Sequence, residues 1–195
     1  MVETTTLHGQ RILLCVCGGI AAYKAAELVR RLRDAGAAVR VAMTDNAQRF
    51  VGAQTFQALS GEPVRTSLWD AQAEAAMGHL ELARWADQVL LAPATANTLA
   101  KLAHGFADDL VSTLCLATTA PLTIAPAMNH RMWLHPATQA NVATLSQRGV
   151  HKVGPNDGPL AEGESGPGRM AEPAAIVEAL AGSGARVGAT RDAAR

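Results

Sequence analysis

Apolar residues fall in short blocks separated by amphipathic stretches. Residues 11–16 (RILLCV) form a compact apolar run, the pattern of a buried strand. The stretch that follows, IAAYKAAELVRRLRDAG at 20–36, places Ile20, Ala21, Ala25, Leu28, Val29 and Leu32 at helical spacing. Glu27 and Arg31 make a favourable i,i+4 pair, and Gly36 is a natural C-terminal stop. Residues 39–43 (VRVAM) read as a second strand, which completes a βαβ unit with a right-handed crossover and parallel strands. The alternation continues. Residues 46–59 read as a helix ended by Gly61, and 81–86 as a short segment with His79 just upstream. Residues 88–92 (QVLLA) are a third strand stopped by Pro93, and 96–104 and 108–117 are helical. Residues 122–125 form a fourth strand stopped by Pro126, 136–148 a helix ended by Gly149, and 150–153 a short fifth strand. Strands alternating with helices predict an α/β fold, a parallel sheet covered by helices on both faces. Residues 154–168 (GPNDGPLAEGESGPG) break the pattern. Their glycines and prolines exclude a helix or a central strand, leaving a mobile loop that is either a lid over a site or a plain surface linker. A last helix follows at 173–180. The domain proper spans 1–182, and 183–195 reads as a flexible tail.

Composition narrows this further. With 195 residues the chain is one domain with a real core. Hydrophobic residues make up 49% but aromatics only 4%, so Ala, Val and Leu must fill most of that core. Seventeen basic residues balance seventeen acidic ones, which argues against a phosphate-tracking nucleic-acid binder. No apolar run approaches the ~18 residues of a membrane span, and Met1–Gln10 lacks the layout of a signal peptide. The expectation is a soluble, cytoplasmic protein. An odd set of cysteines, Cys15, Cys17 and Cys115, is no disulfide framework. Cys15 and Cys17 share one face if their run is a strand. C-x-C without a second ligand pair reads as ordinary thiols in or beside a core rather than as zinc ligands.

In an open α/β sheet, ligands sit beyond the carboxyl ends of the strands. Four segments placed there are unusual. Cys17-Gly18-Gly19 leads into a helix at Ile20: a cradle for a phosphate on backbone N–H groups, or a simple tight turn. Thr95, Asn97 and Thr98 precede a helix, as N-caps or as hydrogen-bonding groups for a ligand. Asn129, between Met128 and Met132 with Trp133 nearby, sets soft apolar surface beside an amide, which fits a flat ligand with polar edges or simple core filling. His79, in HLEL at 79–82, lies just before a strand, within reach of such a pocket.

Five segments together, GGIAAYK (18–24), AMGHLELARWAD (76–87), PATANTLAK (93–101), PAMNHRMW (126–133) and GESGPGRM (163–170), resemble the FMN-dependent cysteine decarboxylases. The likeness runs from about Arg11 to Leu180 and is strongest to the branch that acts on phosphopantothenoylcysteine in coenzyme A biosynthesis. It implies a Rossmann-like three-layer α/β/α flavoprotein, a homo-oligomer as a trimer or a dodecamer of trimers, with FMN held between subunits. It also implies a phosphopantothenate-cysteine ligase as a separate or fused partner. By position, Gly18, Gly19 and Ile20 would face the FMN phosphate, and Thr44, Thr95, Asn97 and Thr98 would also touch the cofactor. His79 would be the catalytic histidine. Asn129 would hold the substrate carboxylate beside Met132, and Arg169 and Met170 would close the lid. The implied reaction oxidises the thiol carbon to a thioaldehyde, so that CO₂ loss leaves a stabilised enethiolate, which is then reduced. Two departures stand out. Glu162 occupies the position of the family's lid cysteine, where it would donate the last proton, and Cys17 stands where a Ser or another small residue is usual. The first keeps open an oxidative decarboxylase of peptidyl cysteine that stops at the enethiol. A non-catalytic FMN-binding regulatory subunit is the remaining alternative.

Overall fold

A computed structural model describes residues 6–69, 78–161 and 163–192, with 183–192 described by backbone alone. Five parallel strands form the sheet: β1 (Arg11–Val16), β2 (Ala38–Met43), β3 (Gln88–Ala94), β4 (Leu122–Pro126) and β5 (His151–Lys152), in the order β2-β1-β3-β4-β5. The helices are α1 (Ala22–Asp34), α2 (Ala53–Ser60), α3 (Gly78–Trp85), α4 (Ala96–His104), α5 (Leu110–Ala117), α6 (His130–Leu134), α7 (Pro136–Gln147) and α8 (Pro173–Asp192). The chain winds outward from β1 to β2, then crosses back to β3 and continues to β5. The loops after β1 and β3 therefore diverge, and a crevice opens between them at the carboxyl edge.

The strand period of two sorts side chains into two cores. On one face Ile12, Leu14, Val16, Val39, Val41, Met43, Leu90 and Ala92 meet Leu28, Val29 and Leu32 of α1, Phe56 of α2 and Ile176 and Leu180 of α8. On the other, Leu13, Cys15, Val89, Leu91 and Ile124 meet Leu82 of α3, Leu99 of α4, Leu110 and Leu114 of α5, and Val142 and Leu145 of α7. These are the three expected layers. The near absence of large aromatics is made good by leucine: Phe56 is joined among the largest fully buried side chains by Leu, Ile and Met. Arg40, the polar residue of β2 on the second face, lies 4.5 Å from the centroid of the Trp85 ring and reaches Glu81 at 3.0 Å, which ties α3 to the sheet.

Several boundaries differ from the sequence reading. Pro93 does not stop β3, which runs on to Ala94. The register with β4 shifts between Leu91 and Ala94, the kind of irregularity that tolerates a residue with no N–H, while the Pro93 carbonyl accepts the Cys17 N–H at 3.3 Å. The helix expected at 46–59 splits into a 3-10 turn (Ala47–Arg49) and α2, because Gly52 is extended, with ψ 146°. α1 starts at Ala22, after a turn at Ile20 and Ala21, and His79 lies on α3. β4 includes Pro126, and β5 has only two residues. The glycine-rich segment is an antiparallel ribbon, β6 (Asn156–Pro159) paired with β7 (Ser165–Arg169). A two-stranded ribbon has only edges, so its prolines cost no ladder bond that a central strand would need. α8 continues to Asp192, beyond Leu180.

Candidate active site

The crevice between β1 and β3 opens into a cavity of about 1070 Å³. Gly18, Gly19 and Ile20 border it after β1, Thr44 and Asn46 after β2, and Thr95, Asn97 and Thr98 after β3. Met128, Asn129 and Met132 come from beyond β4, and Arg169 and Met170 from the end of the ribbon. Every residue the sequence singled out for cofactor or substrate lines this one space. His79 does not: it sits part-buried on α3 and is absent from the cavity wall of its own chain. Glu162 lies outside the described residues.

The glycines have separate reasons. A Cβ on Gly18 would overlap Asn46, with the Asn46 carbonyl carbon only 2.7 Å away, so Gly18 serves the close packing of two loops. A Cβ on Gly19 would meet nothing nearer than Thr95 Cγ2 at 3.8 Å, so its bare backbone keeps cavity space open. No backbone acceptor among the described residues takes the N–H groups of Gly19, Ile20 and Ala21, which precede α1. Donors at a helix start, next to the Thr95 and Thr98 hydroxyls, suit an anionic oxygen cluster such as a phosphate. The cavity thus fits the phosphate end of a flavin nucleotide.

Cys17 plays a different part from the one its position implied. Its side chain is fully buried away from the cavity, hydrogen-bonded by Thr98, and burial pushes its thiol up to about 12 despite that bond. Cys15 is raised well above the ordinary thiol range by its hydrogen bond with Cys115 and by burial. The thiol therefore belongs to the core and does not border the cavity.

Thr95 serves as the N-cap of α4, accepting from the Thr98 N–H at 3.3 Å, and its hydroxyl is 3.1 Å from that of Thr98. Asn129 caps α6, its Oδ1 accepting the Arg131 N–H at 2.8 Å. In each case the cap fixes a side chain that borders the cavity. The ribbon is anchored on the same loop, since the Met128 N–H donates to the Gly168 carbonyl at 3.0 Å. A Cβ on Gly168 would fall on the Met128 carbonyl oxygen. Glu164 adds a second tie, 2.9 Å from Arg131 and 3.2 Å from His130 Nδ1.

Sequence reading left several wall residues without a role: Tyr23, Lys24, Asn46, Lys101, Asp108 and Asp109. Lys101 contacts Asp108 at 2.8 Å and Asp109 at 2.7 Å. The two carboxylates raise the Lys101 pKa. Burial resists ionisation of Asp109, but Lys101 and the Ser112 N–H hold its carboxyl below the usual range. The Asp109–Ser112 capping box was a legible signal for this corner.

The profile of the Flavoprotein family matches residues 2–184. The chain belongs to the Flavoprotein family. This flavoprotein is 57% identical over 173 residues to the Coenzyme A biosynthesis bifunctional protein CoaBC of Escherichia coli (strain K12), a match covering 89% of this chain and 43% of that one. It therefore spans less than half the length of that relative. Among solved structures it is similar to a PPC decarboxylase mutant complexed with pantothenoylaminoethenethiol, with TM-score 0.77 and 33% identity over 88% of this chain and 96% of that one. It is likewise similar to the FMN-dependent cysteine decarboxylase SpaF, with TM-score 0.76 and 32% identity over 91% and 99%.

Two outcomes follow for this flavoprotein. Gly168→Ala strains the ribbon anchor by ~1–3 kcal/mol, so Tm falls by roughly 2–10 °C in thermal melts. The raised Cys17 pKa means that its proton is retained in the fold but lost from the unfolded chain above ~8.5, so stability falls as pH rises from there toward the folded value. Urea melts between pH 8 and pH 11 check this, with Cys17→Ala showing a smaller decline.

Proposed function

We propose that the chain is an FMN-dependent decarboxylase that converts 4'-phosphopantothenoylcysteine to 4'-phosphopantetheine in cytoplasmic coenzyme A biosynthesis. One observation carries this reading: three loops and a ribbon, each within a segment that resembles the decarboxylases, converge on one cavity of about 1070 Å³. Ordinary ligand pockets run to ~1,000 Å³, so this one has room for a nucleotide cofactor and a substrate together.

FMN, when bound, supplies the two-electron acceptor for oxidation of the substrate's thiol carbon and the donor for the final reduction. The chain's own residues do the rest. The N–H groups of Gly19, Ile20 and Ala21 hold the cofactor phosphate, and Thr44, Thr95, Asn97 and Thr98 hold its polar parts. The carboxamide nitrogen of Asn129 donates to the substrate carboxylate. Because the helix cap fixes that side chain, the carboxylate is held with its breaking bond out of the plane of the thiocarbonyl, where overlap lets CO₂ leave. Met132 supplies apolar contact, while Arg169 and Met170 at the end of β7 close the site against water.

His79 acts on the proton transfers in the cavity of a neighbouring copy. Two facts support this: its absence from its own chain's cavity wall, and the exposed apolar rim of Ile20 (62%), Tyr23 (61%) and Met132 (50%), which another subunit would cover. The assembly is a trimer or a dodecamer of trimers, partnered by a separate or fused phosphopantothenate-cysteine ligase. Glu162, at the lid-cysteine position, favours a second reading, an oxidative decarboxylase of peptidyl cysteine that releases an enethiol.

The test is the mass of the product made by the yellow, FMN-loaded protein from 4'-phosphopantothenoylcysteine. The proposal expects loss of CO₂ with the saturated thiol. A product two hydrogens lighter points to the second reading, and no turnover refutes both. His79→Asn and Asn129→Asp are each expected to be inactive, the latter because like charges at ~4 Å cost on the order of 4 kcal/mol at an effective dielectric of about 20. Co-expressed, the two variants regain roughly a quarter of parental turnover if each site draws on two subunits of a randomly mixed oligomer. Activity that stays at the background of the single variants puts both residues in one chain's site.

A further inference from the structure

We propose that Lys24 and Arg169 form a subsite for the phosphate monoester of the substrate, with Glu172 occupying their shared position until the phosphate displaces it. The inference rests on the substrate class proposed above and assigns the residues that select it. Lys24 stands in the first turn of α1, and Arg169 ends β7 on the ribbon. The two cations converge on a single atom: Glu172 Oε1 accepts from Lys24 Nζ at 2.9 Å and from Arg169 Nη2 at 3.2 Å.

The placement of the three groups is unequal. Lys24 and Arg169 both line the cavity, and Glu172 does not. The Lys24 side chain is 13% exposed, whereas that of Glu172 is 53% exposed. Glu172 is therefore the member that swings into water at little cost, and the cavity is the side from which a second anion approaches the pair. Arg169 is held from behind: a Cβ on Gly158 of β6 would lie 2.8 Å from Arg169 Nη1, so the guanidinium packs against bare backbone.

Charge decides which ligand fits. Lys24 holds the Glu172 carboxyl below its usual range, so the cluster carries two cations and one anion, a surplus of one positive charge on the wall. A phosphate monoester brings ~−1.5 to −2 charges and three acceptor oxygens at neutral pH, more than a single carboxylate offers the two cations. Arg169 belongs to the ribbon, so a phosphate bridging it to α1 draws the ribbon down over a bound substrate. A peptide ending in cysteine has no group for this position.

FMN is also a phosphate monoester, and the experiment separates the two sources. The FMN-loaded protein is titrated calorimetrically with 4'-phosphopantetheine and with pantetheine, probes whose binding does not depend on turnover. The parent protein is expected to prefer the phosphorylated probe at least tenfold. Lys24→Met reduces that preference by about 10- to 100-fold, the loss of a charge-assisted hydrogen bond. Lys24→Arg retains it, and Glu172→Gln increases it by removing the competing anion. The FMN content of each purified variant, read by absorbance, stays at the parental level. An unchanged preference in Lys24→Met, or equal binding of both probes by the parent, overturns the subsite. So does loss of FMN from Lys24→Met with the preference intact, which assigns the cations to the cofactor. Failure of decarboxylation with the probe preference intact overturns the activity proposed above and leaves the subsite standing.

Discussion

The divergence of the chain at the carboxyl ends of β1 and β3 is the constraint on which the rest depends. Because β1 is flanked by β2 on one side and β3 on the other, the loops that leave β1 and β3 turn away from each other and cannot fill the space between them. Two contacts hold that crevice in shape. The Cys17 N–H reaches the Pro93 carbonyl across it, and Gly18 lets the Asn46 backbone close to a distance no side chain would allow. With those fixed, the donors that follow Gly18 have only the cavity to face.

The ribbon completes the wall from the opposite side, by different physics. Among the described residues it shares no strand pairing with the main sheet, and its ties include the Met128–Gly168 hydrogen bond, the Glu164 ion pairs, and the Glu172 bridge at its base. Most of these groups are partly exposed, where ion pairs contribute ~0–1 kcal/mol each. Two of these ties meet the residues that flank Asn129, at Met128 and at His130–Arg131, whereas the Glu172 bridge reaches α1 through Lys24.

Much of this was legible in the sequence because it is local. Alternating apolar blocks, helix stops at Gly36, Gly61 and Gly149, and the strand-end loops gave the layers and the loops that border the cavity, though not half of its lining residues. What escaped depends on partners far along the chain. Pro93 reads as a strand breaker until the register shift beside β4 removes the need for its N–H. Residues 154–168 read as a loop because composition excludes a buried strand but is silent on an isolated ribbon. Lys24 and Glu172 meet across 148 positions, a contact no spacing rule reports. Cys15 and Cys17 share one face as their spacing implied, and both lie in the core. His79 was placed near the pocket by its segment, whereas in the fold it is not among the residues lining the cavity of its own chain.

The most direct test of the account is a crystal structure of the FMN-loaded protein. The account predicts the FMN phosphate within hydrogen-bond distance of the Gly19, Ile20 and Ala21 N–H groups, the ring beside Asn129, and His79 of a neighbouring copy facing it. A phosphate seated instead between Lys24 and Arg169, or a ring remote from Asn129, would contradict it.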